Sequence, residues 1–286
     1  MRALCFLLLS LALCVSAAAG VRLAEPAPLD PADLDLAKQL QASGALRRAA
    51  ELVNARVALS KTVTLRHASC DGPNAWYLPE TREVQVCLGL ARHLAGLLAA
   101  QLDDEEQLLQ ALDGALRFIA LHELGHALVD VLQLPVTGRE EDAVDQFAVW
   151  LLLGEGDSAA VLSAASLFGS EVSGGADVAA AHSLDQQRYF SMLCWVYGSD
   201  AEARGALLED WALPADRAAQ CGEEYAQLGR SWQRLLAAHV PPAPKPDEVT
   251  GKPTAKAVVA GTPAPVAAPT DPDATREGDA TGPPPR

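Results

Sequence analysis

The chain is poor in basic residues: 22 lysines and arginines stand against 37 aspartates and glutamates among 286 residues. The formal net charge is −15 at pH 7. Because such a chain repels a phosphate backbone, the composition argues against nucleic-acid binding. Hydrophobic residues make up 50% of the sequence, which is enough for one sizeable core.

The two ends of the chain lack the pattern of a folded domain. Residues 1–20 contain Arg2, then an apolar run from Ala3 to Val15, then small residues, which is the layout of a secretory signal peptide. This run is too short for a stable membrane span, and cleavage is expected near Ala19 or Gly20. Residues 241–286 hold twelve of the nineteen prolines and almost no large apolar side chain, which predicts a disordered tail. A single catalytic domain over residues 21–240 remains.

No Cys-x-x-Cys pair occurs, which argues against a cysteine-based zinc site. Two of the six cysteines fall in the predicted signal peptide, and the other four are Cys70, Cys87, Cys194 and Cys221. An even number in an exported chain indicates disulfides. Three pairings are possible, and the spacing favours local ones: Cys70 with Cys87 across a β-hairpin, and Cys194 with Cys221 between two helices.

No proline interrupts residues 105–132, which carry a clear helix pattern. Apolar residues recur there near a 3.6-residue period, at Leu108, Leu109, Leu112, Leu116, Ile119, Ala120 and Leu128. The helix is therefore predicted to pack in the interior. In that setting buried polar groups need partners, and buried charges need counter-charges or a metal.

This helix carries the sequence His122-Glu-Leu-Gly-His126. Helix positions i and i+4 share one face, so the two imidazoles can hold one metal ion while Glu123 stands beside its water. The alternative is a chance match in which both histidines are ordinary hydrogen-bonded residues. A structural helix, however, needs neither Gly125, which lets another backbone or a substrate approach, nor the acidic segment Glu141-Asp-Ala-Val-Asp145 that follows. The combination favours one Zn²⁺ ion as cofactor.

The order of elements predicts a predominantly helical α+β fold. Asp30 or Asp33 can cap a helical region that runs, with a break at Gly44, to about Ala58. Residues 62–68 and 82–88 alternate polar and apolar side chains, and turn signals at 71–74 and 79–81 favour a small antiparallel sheet. Residues 89–239 are helix-patterned, with a turn at 135–138 after the motif helix.

A small sheet, the motif helix and a second helix with two acids resemble the gluzincin type of zinc peptidase. Within that type, the chain is most similar to a bacterial family of secreted zinc metallopeptidases, over residues 34–238. The segments that carry the similarity are Cys70 with Asn74-Ala-Trp-Tyr77 and Cys87, His122-Glu-Leu-Gly-His-Ala127, Pro135-Val-Thr-Gly-Arg-Glu-Glu-Asp-Ala143, Gln187-Arg-Tyr189, and Cys194 with Tyr197-Gly-Ser-Asp200. The resemblance implies a fold and a zinc site, but no particular substrate.

Three acids, Glu140, Glu141 and Asp145, are candidates for the third zinc ligand. If the motif helix ran to residue 134, its end would lie about 12 Å beyond His126, and Glu141, only ~3 to 5 Å into the returning helix, could not close that gap. Asp145 nearly could. The gluzincin pattern Glu-x-x-x-Asp instead implies Glu141 as ligand and Asp145 as the acid that hydrogen-bonds a ligand histidine. The gluzincin pattern and the helix geometry agree if the motif helix ends early, near residue 130 or 131, and residues 132–138 double back. Pro135 favours such an early end. Glu141 is the predicted ligand.

The resulting hypothesis is an exported zinc metallopeptidase, periplasmic or extracellular, that hydrolyses a peptide or protein substrate with Glu123 as general base. The resemblance also implies a Tyr or His that stabilises the oxyanion, and the candidates are His182, Tyr189 and Tyr197. For each of them a packed or hydrogen-bonded structural role is favoured, and His182 is the strongest candidate of the three because it lies in a polar stretch. Two other functions stay open: a non-catalytic secreted metal-binding or interaction protein, and a zinc amidase acting on cell-wall or small-molecule amides.

Overall fold

The computed structural model describes residues 19–27, 30–170, 182–200, 202 and 204–242. The predicted signal peptide lies outside this part except for residues 19 and 20, and the predicted tail lies outside it beyond residue 242. The described strands are β1 Val21–Leu23, β2 Val63–Ala68, β3 Ala75–Leu78 and β4 Glu83–Cys87. The described α-helices are α1 Leu34–Ser43, α2 Ala45–Arg56, α3 Leu88–Ala99, α4 Glu105–Leu132, α5 Glu140–Gly154, α6 Ser158–Ser170, α7 Asp185–Ser199, α8 Arg204–Glu209 and α9 Ala215–Leu235. The described part of the chain is predominantly helical with one small sheet, as predicted.

The predicted helical region near the start of the domain is present in two pieces. The Asp30 side chain accepts a hydrogen bond of 2.9 Å from the backbone N–H of Ala32 and begins a short 3-10 helix that leads into α1. Gly44 separates α1 from α2 with a φ of +78°, in the left-handed region that favours glycine. Helix α2 ends at Arg56, close to the predicted boundary.

The sheet is mixed, with the strand order β1-β2-β4-β3. β1 pairs with β2 and β2 with β4 in parallel, and the antiparallel pair is β3 with β4. The predicted antiparallel pairing of the segments at 62–68 and 82–88 is therefore wrong. The chain reverses at each of the two turns that separate these segments, and the residues between the turns form β3. After two reversals β4 runs in the same direction as β2.

Helix α4 lies at the centre of the domain. It contacts α2, α3, α5 and α6 and also packs against β3 and β4. Half of its residues are buried, and they are spread between Ala111 and Val131. A helix covered on several sides explains why its apolar residues extend beyond a single stripe. Polar side chains at the middle of α4 therefore lie in the interior of the domain, where they need partners.

The four cysteines pair as Cys70 with Cys87 and Cys194 with Cys221, as the spacing predicted. Cys70 follows β2 and Cys87 ends β4, so the first bond joins the carboxyl ends of two parallel strands rather than crossing a hairpin. The second bond ties α7 to α9. Two disulfides are compatible with an exported protein. Over the described ranges, every helix is too short or too polar to cross a membrane.

Replacing either cysteine pair by alanines is expected to lower the free energy of unfolding by about 3 kcal/mol, because both bonds close loops of similar size. The sequence separations are 17 and 27 residues. Chemical denaturation of the oxidised variants measures the loss, and the difference from the wild type should vanish when all proteins are reduced. Non-reducing peptide mapping that linked Cys70 to Cys194 would contradict the pairing itself.

Candidate metal centre

Helix α4 brings His122, Glu123 and His126 to one cleft of about 670 Å³. His122 and Glu123 are buried, with 5% and 8% of their surfaces exposed. The two imidazole rings lie one helical turn apart, with centroids separated by 5.1 Å. This is the shared face that the i, i+4 spacing predicts.

The chain reverses between α4 and α5 over residues 133–139. Helix α4 ends at Leu132, because Gln133 takes a left-handed conformation with a φ of 53°. This end lies one or two residues later than predicted. Helix α5 then packs closely on α4 at Gly125, where a Cβ atom would lie 2.8 Å from the Cβ of Val144. A side chain at position 125 would push α5 away. This close approach brings the first turns of α5 against the two histidines.

Glu141 from α5 reaches the motif histidines, although the geometric argument from a longer helix placed it out of range. Its Oε2 lies 3.2 Å from His122 Nε2 and 3.4 Å from His126 Nε2. The Nε2 of His182 is 2.8 Å from the same oxygen. None of these contacts has hydrogen-bond geometry, so Oε2 of Glu141 is buried without a hydrogen-bond partner among the described residues.

The other ring nitrogens of the motif face carboxylates. Nδ1 of His122 is 2.7 Å from Oδ1 of Asp145, and Nδ1 of His126 is 2.7 Å from Oε1 of Glu140. The predicted contact between Asp145 and a motif histidine is thus present. A neutral imidazole that donates from Nδ1 carries its lone pair on Nε2. In that tautomer the two Nε2 atoms, which lie 3.2 and 3.4 Å from Oε2 of Glu141, are available to bind a metal ion.

The electrostatics of the cleft favour positive charge between these groups. Burial opposes a charged His122 ring, but the contacts with Asp145 and Glu141 outweigh it and raise the pKa of His122 to about 9. The three neighbouring imidazoles hold the pKa of the Glu141 carboxyl well below its usual range. Burial raises the pKa of Glu123. Burial also opposes ionisation of Asp145, yet His122 and Arg188 keep the pKa of its carboxyl below the ordinary value.

The distances from Glu141 to the two motif histidines match the spacing of ligands on a zinc ion. Ligands on a tetrahedral ion with bonds of about 2.0–2.2 Å are about 3.3–3.6 Å apart, close to the 3.2 and 3.4 Å measured from Glu141 to His122 and His126. The buried Oε2 of Glu141, which has no hydrogen-bond partner among the described residues, would be neutralised by a cation bound beside it. Within the described residues, the group whose donor atoms all lie within 4.8 Å of one another consists of His122, Glu141 and His182, and His126 is not part of it. Glu140, an alternative ligand by sequence, instead contacts the outer nitrogen of His126.

The three candidates for an oxyanion stabiliser are placed differently. His182 lines the cleft, and its ring stacks on that of His122 with centroids 5.8 Å apart. Tyr189 is buried and its hydroxyl donates to the Trp211 carbonyl at 3.1 Å. Tyr197 packs against the core and does not line this cleft. Both tyrosines are therefore placed as the favoured structural role requires.

Two residues of the site carried no individual signal in the sequence. Tyr77 lines the cleft, and its hydroxyl donates to Oδ2 of Asp130 at 2.7 Å. Arg188 donates to both carboxylate oxygens of Asp145. Each lies in a segment that carries the family resemblance, Asn74-Ala-Trp-Tyr77 or Gln187-Arg-Tyr189, which was the available signal for them.

A family model described as "Putative metallopeptidase" (DUF4344) matches residues 27–236. No curated protein and no solved structure matches the chain significantly. The matched segment contains α1 to α9, both disulfides and every residue of the candidate metal centre. Since the match covers well over half of the 286 residues, the chain belongs to this metallopeptidase family.

Proposed function

We propose that the protein is an exported zinc-dependent peptidase in which His122, His126 and Glu141 hold the ion. One observation carries the proposal: imidazole Nε2 atoms converge on the buried Oε2 of Glu141, which has no hydrogen-bond partner among the described residues. The residues concerned line an open cleft that a substrate can enter. Membership of a metallopeptidase family supports the same reaction class.

A zinc ion in this place supplies Lewis-acid chemistry, which polarises a carbonyl group and lowers the pKa of a water molecule. Glu123 follows His122 on α4 and lines the same cleft. We assign it as the general base that accepts the proton of the attacking water and later delivers it to the leaving amine. Burial raises the pKa of its carboxyl, which suits a group that must both take up and return a proton. Asp145 and Glu140 orient the two imidazoles through their outer nitrogens.

The edge of the sheet supports an extended peptide as substrate. β3 is the last strand of the sheet and, within the described part of the chain, pairs with β4 alone. The backbone groups on its other side can pair with an added strand. Trp76 and Tyr77 of β3 line the same cleft as His122 and Glu123. A peptide paired with β3 would therefore pass over the residues assigned to catalysis.

His182 is proposed to stabilise the oxyanion. Replacing His182 with glutamine is expected to lower kcat by about 10²–10³-fold, as loss of one such donor does, while zinc affinity changes little. His182 comes from outside the α4–α5 unit and 46% of its side chain is exposed, which suits a group that meets the substrate. Parallel measurements of kcat and zinc affinity check this. A loss of zinc affinity as large as that of His126→Gln would make His182 a ligand instead.

The proposed function is tested with the purified, zinc-loaded protein and a diverse peptide library read by mass spectrometry. Cleavage is expected that stops with a chelator and returns with added zinc. Tight zinc binding without cleavage would overturn the peptidase and favour a non-catalytic metal-binding protein. Cleavage confined to cell-wall fragments or small amides would favour an amidase, and absence of zinc binding would remove the metal centre altogether.

A further inference from the structure

We infer that Arg188 is a positioning residue of the metal centre, which fixes the His122 ring by clamping Asp145. The inference rests on the proposed zinc site, because its consequence is a change in how well that site binds metal. Arg188 lies on α7 and does not line the cleft that contains the histidines. Its effect must therefore pass through Asp145.

Arg188 makes a bidentate contact with Asp145. Nε donates to Oδ2 at 2.8 Å and Nη2 donates to Oδ1 at 2.8 Å. Oδ1 also lies 2.7 Å from Nδ1 of His122. Asp145 is 3% exposed, so its carboxylate is oriented by these two side chains rather than by solvent.

Arg188 is itself held in place from another direction. Its guanidinium carbon lies 3.9 Å from the centre of the Phe168 ring on α6, a cation–π contact. Only 11% of the Arg188 side chain is exposed. The disulfide between Cys194 and Cys221 ties the same helix to α9. Arg188 thus connects α6 and α7 to the carboxylate that faces His122.

The planar guanidinium matters because a carboxylate can rotate about its own bond. A fork of two parallel N–H donors fixes the plane of the carboxylate, whereas the single ammonium of lysine acts as a point charge. With the plane fixed, Oδ1 stays opposite Nδ1 of His122. The ring is then held with Nε2 directed at Glu141, the orientation needed for metal binding.

The test compares zinc affinities of the full-length wild type, Arg188→Met and Arg188→Lys, measured by competition with a chromophoric chelator. Arg188→Met is expected to bind zinc about 10–100-fold more weakly, the usual size for groups that orient a ligand. Arg188→Lys should recover part of this loss, since it restores the charge but not the fork. The matched control is Arg217→Lys, because Arg217 makes a similar fork with Glu224, at 2.7 Å and 2.7 Å. It should leave zinc affinity unchanged.

A double-mutant cycle separates positioning from general destabilisation. In an Asp145→Asn background, Arg188→Met is expected to change zinc affinity less than about 2-fold, because the group through which it acts is already altered. A full additive loss in that background would overturn the inference. Unchanged affinity in Arg188→Met alone would overturn it as well.

A measurement without metal keeps the inference apart from the proposed function. In the metal-free wild type, imidazole nitrogen NMR should find Nδ1 of His122 protonated and hydrogen-bonded, and Arg188→Met should shift this signal while Arg217→Lys should not. If the wild type bound no zinc, the proposed function would fail, and this shift would still test the clamp. An unchanged His122 signal in Arg188→Met would overturn the inference whatever the zinc affinity.

Discussion

Replacing Glu123 with glutamine is expected to lower kcat for peptide hydrolysis by about 10²–10⁴-fold while zinc remains bound. Glutamine keeps the size of the side chain and can still form hydrogen bonds, but its amide cannot accept the proton of the attacking water. The effect is confined to the chemical step because Glu123 is not among the three proposed ligands. Metal content by mass spectrometry and turnover of a chelator-sensitive peptide measure the two properties separately.

The control for Glu123→Gln lies on the same helix. Glu106, in the first turn of α4, is exposed and its carboxylate accepts a hydrogen bond from Gln110 at 3.1 Å. Glu106→Gln changes the same chemical group far from the cleft and should leave turnover unaltered. Near wild-type turnover in Glu123→Gln would assign the base to another group. Loss of zinc in that variant would instead place Glu123 among the ligands.

Local patterns in the sequence were sufficient for the helix that carries the motif. The helix-patterned residues 105–132, which contain no proline, coincide with α4, and Asp104 caps this helix by accepting a hydrogen bond of 2.8 Å from the backbone N–H of Gln107. The i, i+4 relation between His122 and His126 follows from helix geometry alone. The local pairing of the cysteines also depended on short separations, and both predicted pairs are present.

Local patterns did not predict how segments distant in the sequence contact one another. Alternation of polar and apolar residues identifies a strand and its buried face, but it says nothing about the direction of the neighbouring strand. The four residues of β3 lie between two turns and add a second chain reversal between β2 and β4. These two strands are therefore parallel, not antiparallel as predicted. Arg188 lies 43 residues from Asp145, and no periodicity links an arginine on one helix to an aspartate on another.

The end of α4 shows how a small local difference decides which acid reaches the two motif histidines. A helix continued to residue 134 would have placed Glu141 too far from the histidines and favoured Asp145. The left-handed Gln133 ends α4 at Leu132, and α5 begins at Glu140. Glu141 then lies within 3.4 Å of both Nε2 atoms, while Asp145 reaches only the outer nitrogen of His122.

Glu141→Gln is accordingly expected to lose most zinc binding, with an affinity more than ~100-fold below that of the wild type, because it removes a charged ligand. Asp145→Asn should lose only about 10–100-fold, as changes behind a ligand histidine do. Glu140→Gln, in the same turn of α5 as Glu141, is the matched control and should resemble Asp145→Asn or be milder, since 45% of the Glu140 side chain is exposed. Zinc affinities of the three variants, measured by competition with a chelator, give the ranking. A larger loss in Asp145→Asn than in Glu141→Gln would move the third ligand to Asp145, and a largest loss in Glu140→Gln would move it to Glu140.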